Sequence, residues 1–232
     1  MDTNKHKYFM LQLLKDIFSD ALLSSVLAFK GGTAMMFFHN LPRFSTDLDF
    51  NLLNVDKEEE VFERVREIVL RYGKIHDEAR KFYGIIIVLD YGIGERKLKI
   101  EISRRQFDNR YEIRNYLGMQ MRVMAKEDMF THKLCVLLDR PEITGRDVFD
   151  CWFFLKERTA INKEIVESRT GMPIADYLDK CIENIQKLSE KSLISGLGEL
   201  TEGDIKEFVQ HGLKDELISL LKMFKAFPSY SK

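Results

Sequence analysis

Two aspartates two residues apart, Asp47 and Asp49, stand in the run Asp-Leu-Asp-Phe-Asn-Leu-Leu over positions 47–53. Side chains on a strand alternate between its faces, so both carboxylates project from the same side. There they repel, and a shared Mg²⁺ (or Mn²⁺), which takes oxygen ligands and commonly keeps bound phosphates, lets both stay ionised. A solvated strand edge would show the same pattern, because Asp-x-Asp is a common tripeptide. Upstream, Lys30-Gly-Gly-Thr lies between a short β-prone run, 26–29, and the apolar Ala-Met-Met-Phe-Phe. That order reads as strand, glycine turn and helix. Gly31 and Gly32 have no side chains, so backbone N–H groups and the helix N-terminus can approach a phosphate, with Lys30 adding a point charge. The lysine precedes the glycines, so this is not a Walker A loop, and a bare strand-to-helix turn is the plain alternative.

A third acid comes from Leu-Lys-Ile-Glu-Ile-Ser over 98–103, where Lys99, Glu101 and Ser103 share one face and Leu98, Ile100 and Ile102 the other. If this strand neighbours the one carrying Asp47 and Asp49, Glu101 completes a three-carboxylate cluster able to hold one or two metal ions. Asp90, on the strand before it, is the rival for that role, and an ordinary polar strand face is the alternative for both.

The elements that must position these groups follow from periodicity. Apolar residues at three and four from 9 to 21 mark an amphipathic helix. A second helix begins after Asp56, which can cap it, and runs to Gly73. Residues 85–91 and 98–103, separated by Gly-Ile-Gly-Glu-Arg-Lys, predict an antiparallel hairpin. Beyond about residue 125 helical patterns take over, over 126–139, 146–158 and several more to Phe227. Mixed α/β followed by helix argues for two subdomains, with the boundary between Arg104 and Lys126. We expect an α+β fold with a small mixed sheet over residues 1–115 and a helical domain over 116–232.

The block from Lys30 to Phe50 resembles a family pattern, Gly-Gly-Thr followed by Arg-x-Ser-x-Asp-x-Asp-Phe, here Arg43, Ser45, Asp47, Asp49 and Phe50. It is that of the AbiEii/AbiGii toxins of bacterial toxin–antitoxin systems, within the nucleotidyltransferase fold related to DNA polymerase β. Lys133 with Asp139, and Arg146-Asp-Val-Phe-Asp150, resemble two further motifs of that family. The resemblance implies a polymerase β-like nucleotidyltransferase domain followed by a helical domain that completes the active-site cleft. It implies transfer of a nucleotide from an NTP, with Asp47, Asp49 and Glu101 on Mg²⁺, Lys133 and Asp150 as further catalytic residues, and Lys30, Gly31, Gly32, Thr33, Arg43, Ser45, Arg146 and Asp147 at the nucleotide. It also implies an acceptor such as the 3′ end of tRNA and a cognate antitoxin of a type IV-like system. A phosphotransferase of the same fold acting on a protein such as the antitoxin, and a catalytically inactive binding module, are the alternatives.

The later residues also stand out physically. Lys133 lies in the apolar stripe of Met129, Phe130, Leu134, Leu137 and Leu138, so it must be paired or reach into a cleft. Asp150 lies among Val148, Phe149, Cys151 and Trp152 and is costly to bury without a cation, so the two could be each other's salt bridge. Thr144-Gly-Arg-Asp147 has the spacing of a capping box with aspartate for glutamate. The histidines, His132 and His6 included, have no metal-ligand spacing and read as surface or core residues.

Composition bounds the partners. The 232 residues carry 36 basic and 37 acidic side chains, a net charge of −1, so any nucleic acid is held by a local patch. From Gly94 to Lys126 there are nine bases against four acids, with Phe107, Tyr111 and Tyr116 interleaved, a stretch able to contact RNA or form a solvated hairpin and linker. Hydrophobic residues at 45% and charged at 31% exclude a disordered tail. No run approaches the roughly 20 apolar residues that span a bilayer. Cys135, Cys151 and Cys181 have no CxxC spacing and read as buried reduced thiols. Cytoplasm is the implied compartment.

Overall fold

A computed structural model describes residues 2–194, 197 and 204–227. The chain runs α1 (Thr3–Ser19), α2 (Ala21–Val26), β1 (Leu27–Lys30), α3 (Gly31–Phe38), β2 (Leu48–Leu52), α4 (Glu58–Leu70), β3 (Lys74–Lys81), β4 (Gly84–Asp90), β5 (Leu98–Ser103), β6 (Tyr111–Tyr116) and β7 (Met119–Met124). The strands form one mixed sheet in the order β3-β4-β5-β2-β1-β7-β6. β2 pairs with β5, and β1 with β7, in parallel, while the other neighbours are antiparallel.

Strict alternation divides this sheet into two unlike faces. Phe29, Phe50, Ile87 and Ile100 are fully buried on one side, flanked by Leu27, Leu48, Leu89 and Leu98. Helix α1 covers it, with the Phe18 ring 6.1 Å from that of Phe50, and α4 packs against β3 and β4. Each such side chain contributes about 1.5–3 kcal/mol by leaving water. The opposite face carries Lys30, Asp49, Lys99 and Glu101. Register is therefore fixed, because slipping a strand by one residue would bury the charges and expose the core.

Several boundaries differ from the sequence expectation. α1 begins at Thr3 because the Asp2 side chain caps it, accepting from Lys5 N–H at 3.0 Å. Asn54, not Asp56, caps the turn before α4: its carboxamide oxygen accepts from the Asp56 N–H at 3.1 Å, and a short 3-10 turn intervenes. Three strands were not anticipated. β3, Lys-Ile-His-Asp-Glu-Ala-Arg-Lys, has no apolar alternation because it is an outer strand, where charge guards an open edge. β6 and β7 form a hairpin whose two-residue turn, Leu117-Gly118, takes positive φ at both positions. The basic stretch is thus partly sheet, and several of its charges are engaged: Arg104 with Glu58 at 3.1 Å, Lys97 with Asp90 at 3.4 Å, Arg122 with the Ser25 carbonyl at 2.7 Å.

Two compact units result. One holds Met1–Asn40, Phe44–Gln106 and Arg110–Met124; the other holds Leu41–Arg43, Phe107–Asn109 and Ala125–Lys232. The division after Met124 keeps the β6–β7 hairpin whole, which a cut after residue 115 would split. Among the described residues the second unit's regular structure is helical: α5 (Lys126–Asp139), α6 (Gly145–Lys156), α7 (Lys163–Thr170), α8 (Ile174–Gln186), α9 (Glu190–Ile194), α10 (Asp204–His211) and α11 (Leu213–Ala226). The first two match the expected helices within two residues. Cys135, Cys151 and Cys181 are buried free thiols, and burial raises all three, Cys135 and Cys181 to about 12. Among the described residues no helix is long and apolar enough to cross a membrane.

Candidate active site

The strand register brings the predicted acids together. Lys30 of β1 pairs with Asp49 of β2, and Asp49 pairs in turn with Glu101 of β5, so the three lie in one row across the sheet. Asp47 precedes β2 by one residue. Lys99, one alternation before Glu101, places its Nζ 2.9 Å from Glu101 Oε2 and 3.6 Å from Asp47 Oδ2. Asp90 is not opposite Asp49. It ends β4, where it accepts from the Gly92 N–H at 3.2 Å.

Charge is unevenly distributed in this row. Burial raises the Asp49 carboxyl above the ordinary aspartate range, and the neighbouring Glu101 and Asp47 charges add to it against Lys30 and Lys99. Burial also pushes Glu101 up, but the hydrogen bond and charge of Lys99, helped by Lys30, outweigh it and hold the carboxyl below its usual value. Lys99 moves the opposite way: burial lowers it, yet Glu101, Asp47 and Asp49 together raise it. With all three acids ionised, Asp47, Asp49 and Glu101 outnumber Lys30 and Lys99 by one charge.

Gly31 is required where it stands. Its φ is +78°, and a Cβ there would lie within 2.9 Å of Asp49 Cγ. Alanine would incur about 1–2 kcal/mol of left-handed backbone strain and displace the carboxylate. Misplacing a reacting group by about 1 Å costs on the order of 10²-fold in rate, so Gly31→Ala is expected to lower by that order, in a steady-state assay, the rate of a reaction that depends on Asp49. Thr33, on the first turn of α3, is buried and donates its hydroxyl to the Asp47 carbonyl at 2.5 Å. His6 acts on the same segment. Its Nε2 lies 2.8 Å from the Thr46 carbonyl, which can only accept, so Nε2 carries the proton and Nδ1 accepts from the Tyr91 hydroxyl at 2.5 Å. Burial, the largest influence, favours this neutral ring.

The donor set suits Mg²⁺: three carboxylates, hard oxygen ligands with no thiol or imidazole, beside a glycine whose missing Cβ leaves Asp49 room. Among the described residues, no three His, Cys, Asp or Glu side chains already stand close enough to hold an ion. Lys99 bridges two of the acids instead.

The helical unit holds a second charged cluster. Arg43 grips Asp150 with two hydrogen bonds, Nε to Oδ1 at 2.5 Å and Nη2 to Oδ2 at 2.7 Å, and Lys133 Nζ lies 3.0 Å from Oδ2. The Asp150 side chain is fully buried, that of Arg43 is 3% exposed and that of Lys133 is 22% exposed. Burial alone would raise Asp150, but the two cations bring it down to about 2. Asp150 is thus engaged by two cations, and Arg43, expected at the nucleotide, is one of them. Asp139, expected in the lysine motif, pairs with Arg169 at 2.5 Å.

Asp147 closes back on Thr144, accepting from its hydroxyl at 2.7 Å and its N–H at 3.2 Å, and from Arg140 at 3.1 Å. It is placed as a helix cap. Asp147→Ala is expected to cost about 1–2 kcal/mol, read as a lower urea midpoint. Arg146 is half-buried, and Ser45 is buried. The sequence reading did not assign roles to Lys99 and His6. The i, i+2 spacing of Lys99 and Glu101 was a usable signal for the first, whereas the His6 contacts span 40 and 85 residues and leave no local trace.

The chain folds as a mixed sheet with one helix-covered face and an acid row on the other, behind a strand-to-helix glycine turn. It is similar over 99% of this chain and 97% of the other to the crystal structure of a candidate nucleotidyltransferase from Helicobacter pylori, at 20% identity and a TM-score of 0.64. It is likewise similar to JHP933 from Helicobacter pylori, at 21% identity and a TM-score of 0.60, over 97% and 92% of the two chains. The chain belongs to the AbiEii family, the nucleotidyl transferase toxins of type IV toxin–antitoxin systems, whose model matches residues 12–217. No curated protein sequence matches it.

Proposed function

We propose that the chain transfers the nucleotidyl group of an NTP to an acceptor hydroxyl, with Asp47, Asp49 and Glu101 holding Mg²⁺. The observation that carries this reading is the row Lys30, Asp49, Glu101 on the face of the sheet opposite the apolar core, with Gly31 packed bare against Asp49. A bound divalent cation supplies charge that offsets the triphosphate and the developing negative charge at phosphorus. Lys30 and the N–H groups of Gly31 and Gly32 bind phosphate oxygens. Glu101 takes the proton of the acceptor hydroxyl. The oxygen attacks the α-phosphorus, the α–β bridging bond breaks and pyrophosphate leaves.

The family supports an antitoxin as partner. For the acceptor we propose the 3′ end of tRNA in the cytoplasm, with Arg104 and Arg105 among the contacts. Purified protein, Mg²⁺, each NTP in turn and total tRNA are incubated and the RNA is analysed by mass spectrometry. A gain of one nucleotide or more at the 3′ end supports the reading, and unaltered RNA with every NTP contradicts the acceptor. The absence of a ready-made metal cluster among the described residues favours a second reading, a module that kept the fold without catalysis. Failure to bind Mg-NTP at millimolar concentration would favour it over transfer.

A further inference from the structure

We infer that Lys99 is a tethered cation that stands in for the divalent ion, holding the acids together without metal and withdrawing when metal binds. The inference rests on the metal reading above and concerns a residue to which that reading gives no role at the metal. Its Nζ is 2.9 Å from Glu101 Oε2 and 3.6 Å from Asp47 Oδ2, so one ammonium holds an oxygen of each of two metal-binding acids. An ion bridging those acids takes oxygens at about 2.0–2.1 Å. An ammonium and a divalent ion drawn to the same two carboxylates repel each other at close range, so binding of one weakens the hold of the other.

Lysine suits this duty. Four rotatable methylenes let its charge leave without moving the strand, whereas a guanidinium would lock bidentate onto one carboxylate. The Lys99 side chain is 36% exposed, so an outward path is open. The other cation in the row, Lys30, lies by strand register on the side of Asp49 away from Glu101. Lys99 thereby maintains the site in the metal-free chain and sets a threshold for metal. Once displaced, its charge is available to the triphosphate that arrives with the ion.

The test compares wild type, Lys99→Met and Asp49→Asn, with free Mn²⁺ measured by electron paramagnetic resonance and folding checked by circular dichroism. Lys99→Met is expected to bind Mn²⁺ about fivefold more tightly than wild type, the scale of releasing one partly exposed ion pair. Its metal-free melting temperature falls, and its Mn²⁺-saturated one matches wild type. Equal Mn²⁺ affinity in wild type and Lys99→Met overturns the inference and leaves the metal reading standing. No binding to either removes both. Wild type alone gives a second measurement should the variant not fold: acetylation of Lys99 by an N-hydroxysuccinimide ester, followed by peptide mass spectrometry, rises several-fold on Mn²⁺ saturation. Unchanged labelling overturns the inference.

Discussion

Asp49→Asn is expected to abolish nucleotidyl transfer, lowering kcat/KM by about 10³-fold or more, the scale of removing a group on which transition-state charge stabilisation depends. The substitution keeps the size of the side chain, so Gly31 still fits against it. It also removes a charge that the fold disfavours, since burial and the Glu101 and Asp47 charges all push the Asp49 carboxyl up. A raised carboxyl value means that at neutral pH the ionised form costs stability. The metal-free variant is therefore expected to melt no lower than wild type. Loss of activity without loss of stability distinguishes a site residue from a structural one, and a lowered melting temperature would count against this account of the acid row.

Asp150→Ala has the opposite profile. It removes the carboxylate that the Nε and Nη2 of Arg43 address, and the Arg43 side chain is only 3% exposed. Breaking a buried pair by deleting one partner costs about 3–5 kcal/mol, a large share of a domain's stability. Chemical denaturation followed through the Trp152 signal reads this directly. Replacing both partners, Arg43→Met with Asp150→Leu, is expected to recover much of the loss, because the most deeply buried cation goes with the carboxylate and the part-exposed Lys133 alone loses that partner. The same pair gives a pH dependence. The folded value of Asp150 is depressed to about 2, whereas an unfolded aspartate titrates near 4. Its stabilisation is therefore fully present above that unfolded value and is lost as pH falls through the window from about 4 to 2. In Asp150→Leu with Arg43→Met, the acid-induced drop over that window shrinks.

The parts of this architecture legible in the sequence are those governed by local periodicity. Alternation alone puts Lys99 and Glu101 on one face of β5 and Leu98, Ile100 and Ile102 on the other, and β4 and β5 form the expected hairpin. The helices over Lys126–Asp139 and Gly145–Lys156 follow from apolar spacing in the same way. That β5 lies beside β2, which makes Glu101 rather than Asp90 the third acid, is a pairing between segments about fifty residues apart that periodicity could only pose as a condition.

What stayed hidden has physical reasons. β3 carries charge on an outer strand, and β6 and β7 alternate weakly, so polar composition masked extended backbone. Arg43 fell inside a motif that pointed to a nucleotide, yet its partner is Asp150, 107 residues on. The Lys133–Asp150 bridge was anticipated as one option, but the arginine that shares the carboxylate was not. Lys99 was visible as a face-mate of Glu101. Its bridge to Asp47 needed the strand order.

The central claim is that the acid row on β2 and β5 drives transfer of a nucleotidyl group. The most direct measurement supplies the protein with Mg²⁺, acceptor RNA and one NTP carrying ³²P either at the α or at the γ phosphate. The account predicts label on the RNA from α-labelled NTP and label in pyrophosphate from γ-labelled NTP, both absent with Asp49→Asn. Transfer of γ label to an acceptor, or α transfer that survives Asp49→Asn, would contradict it.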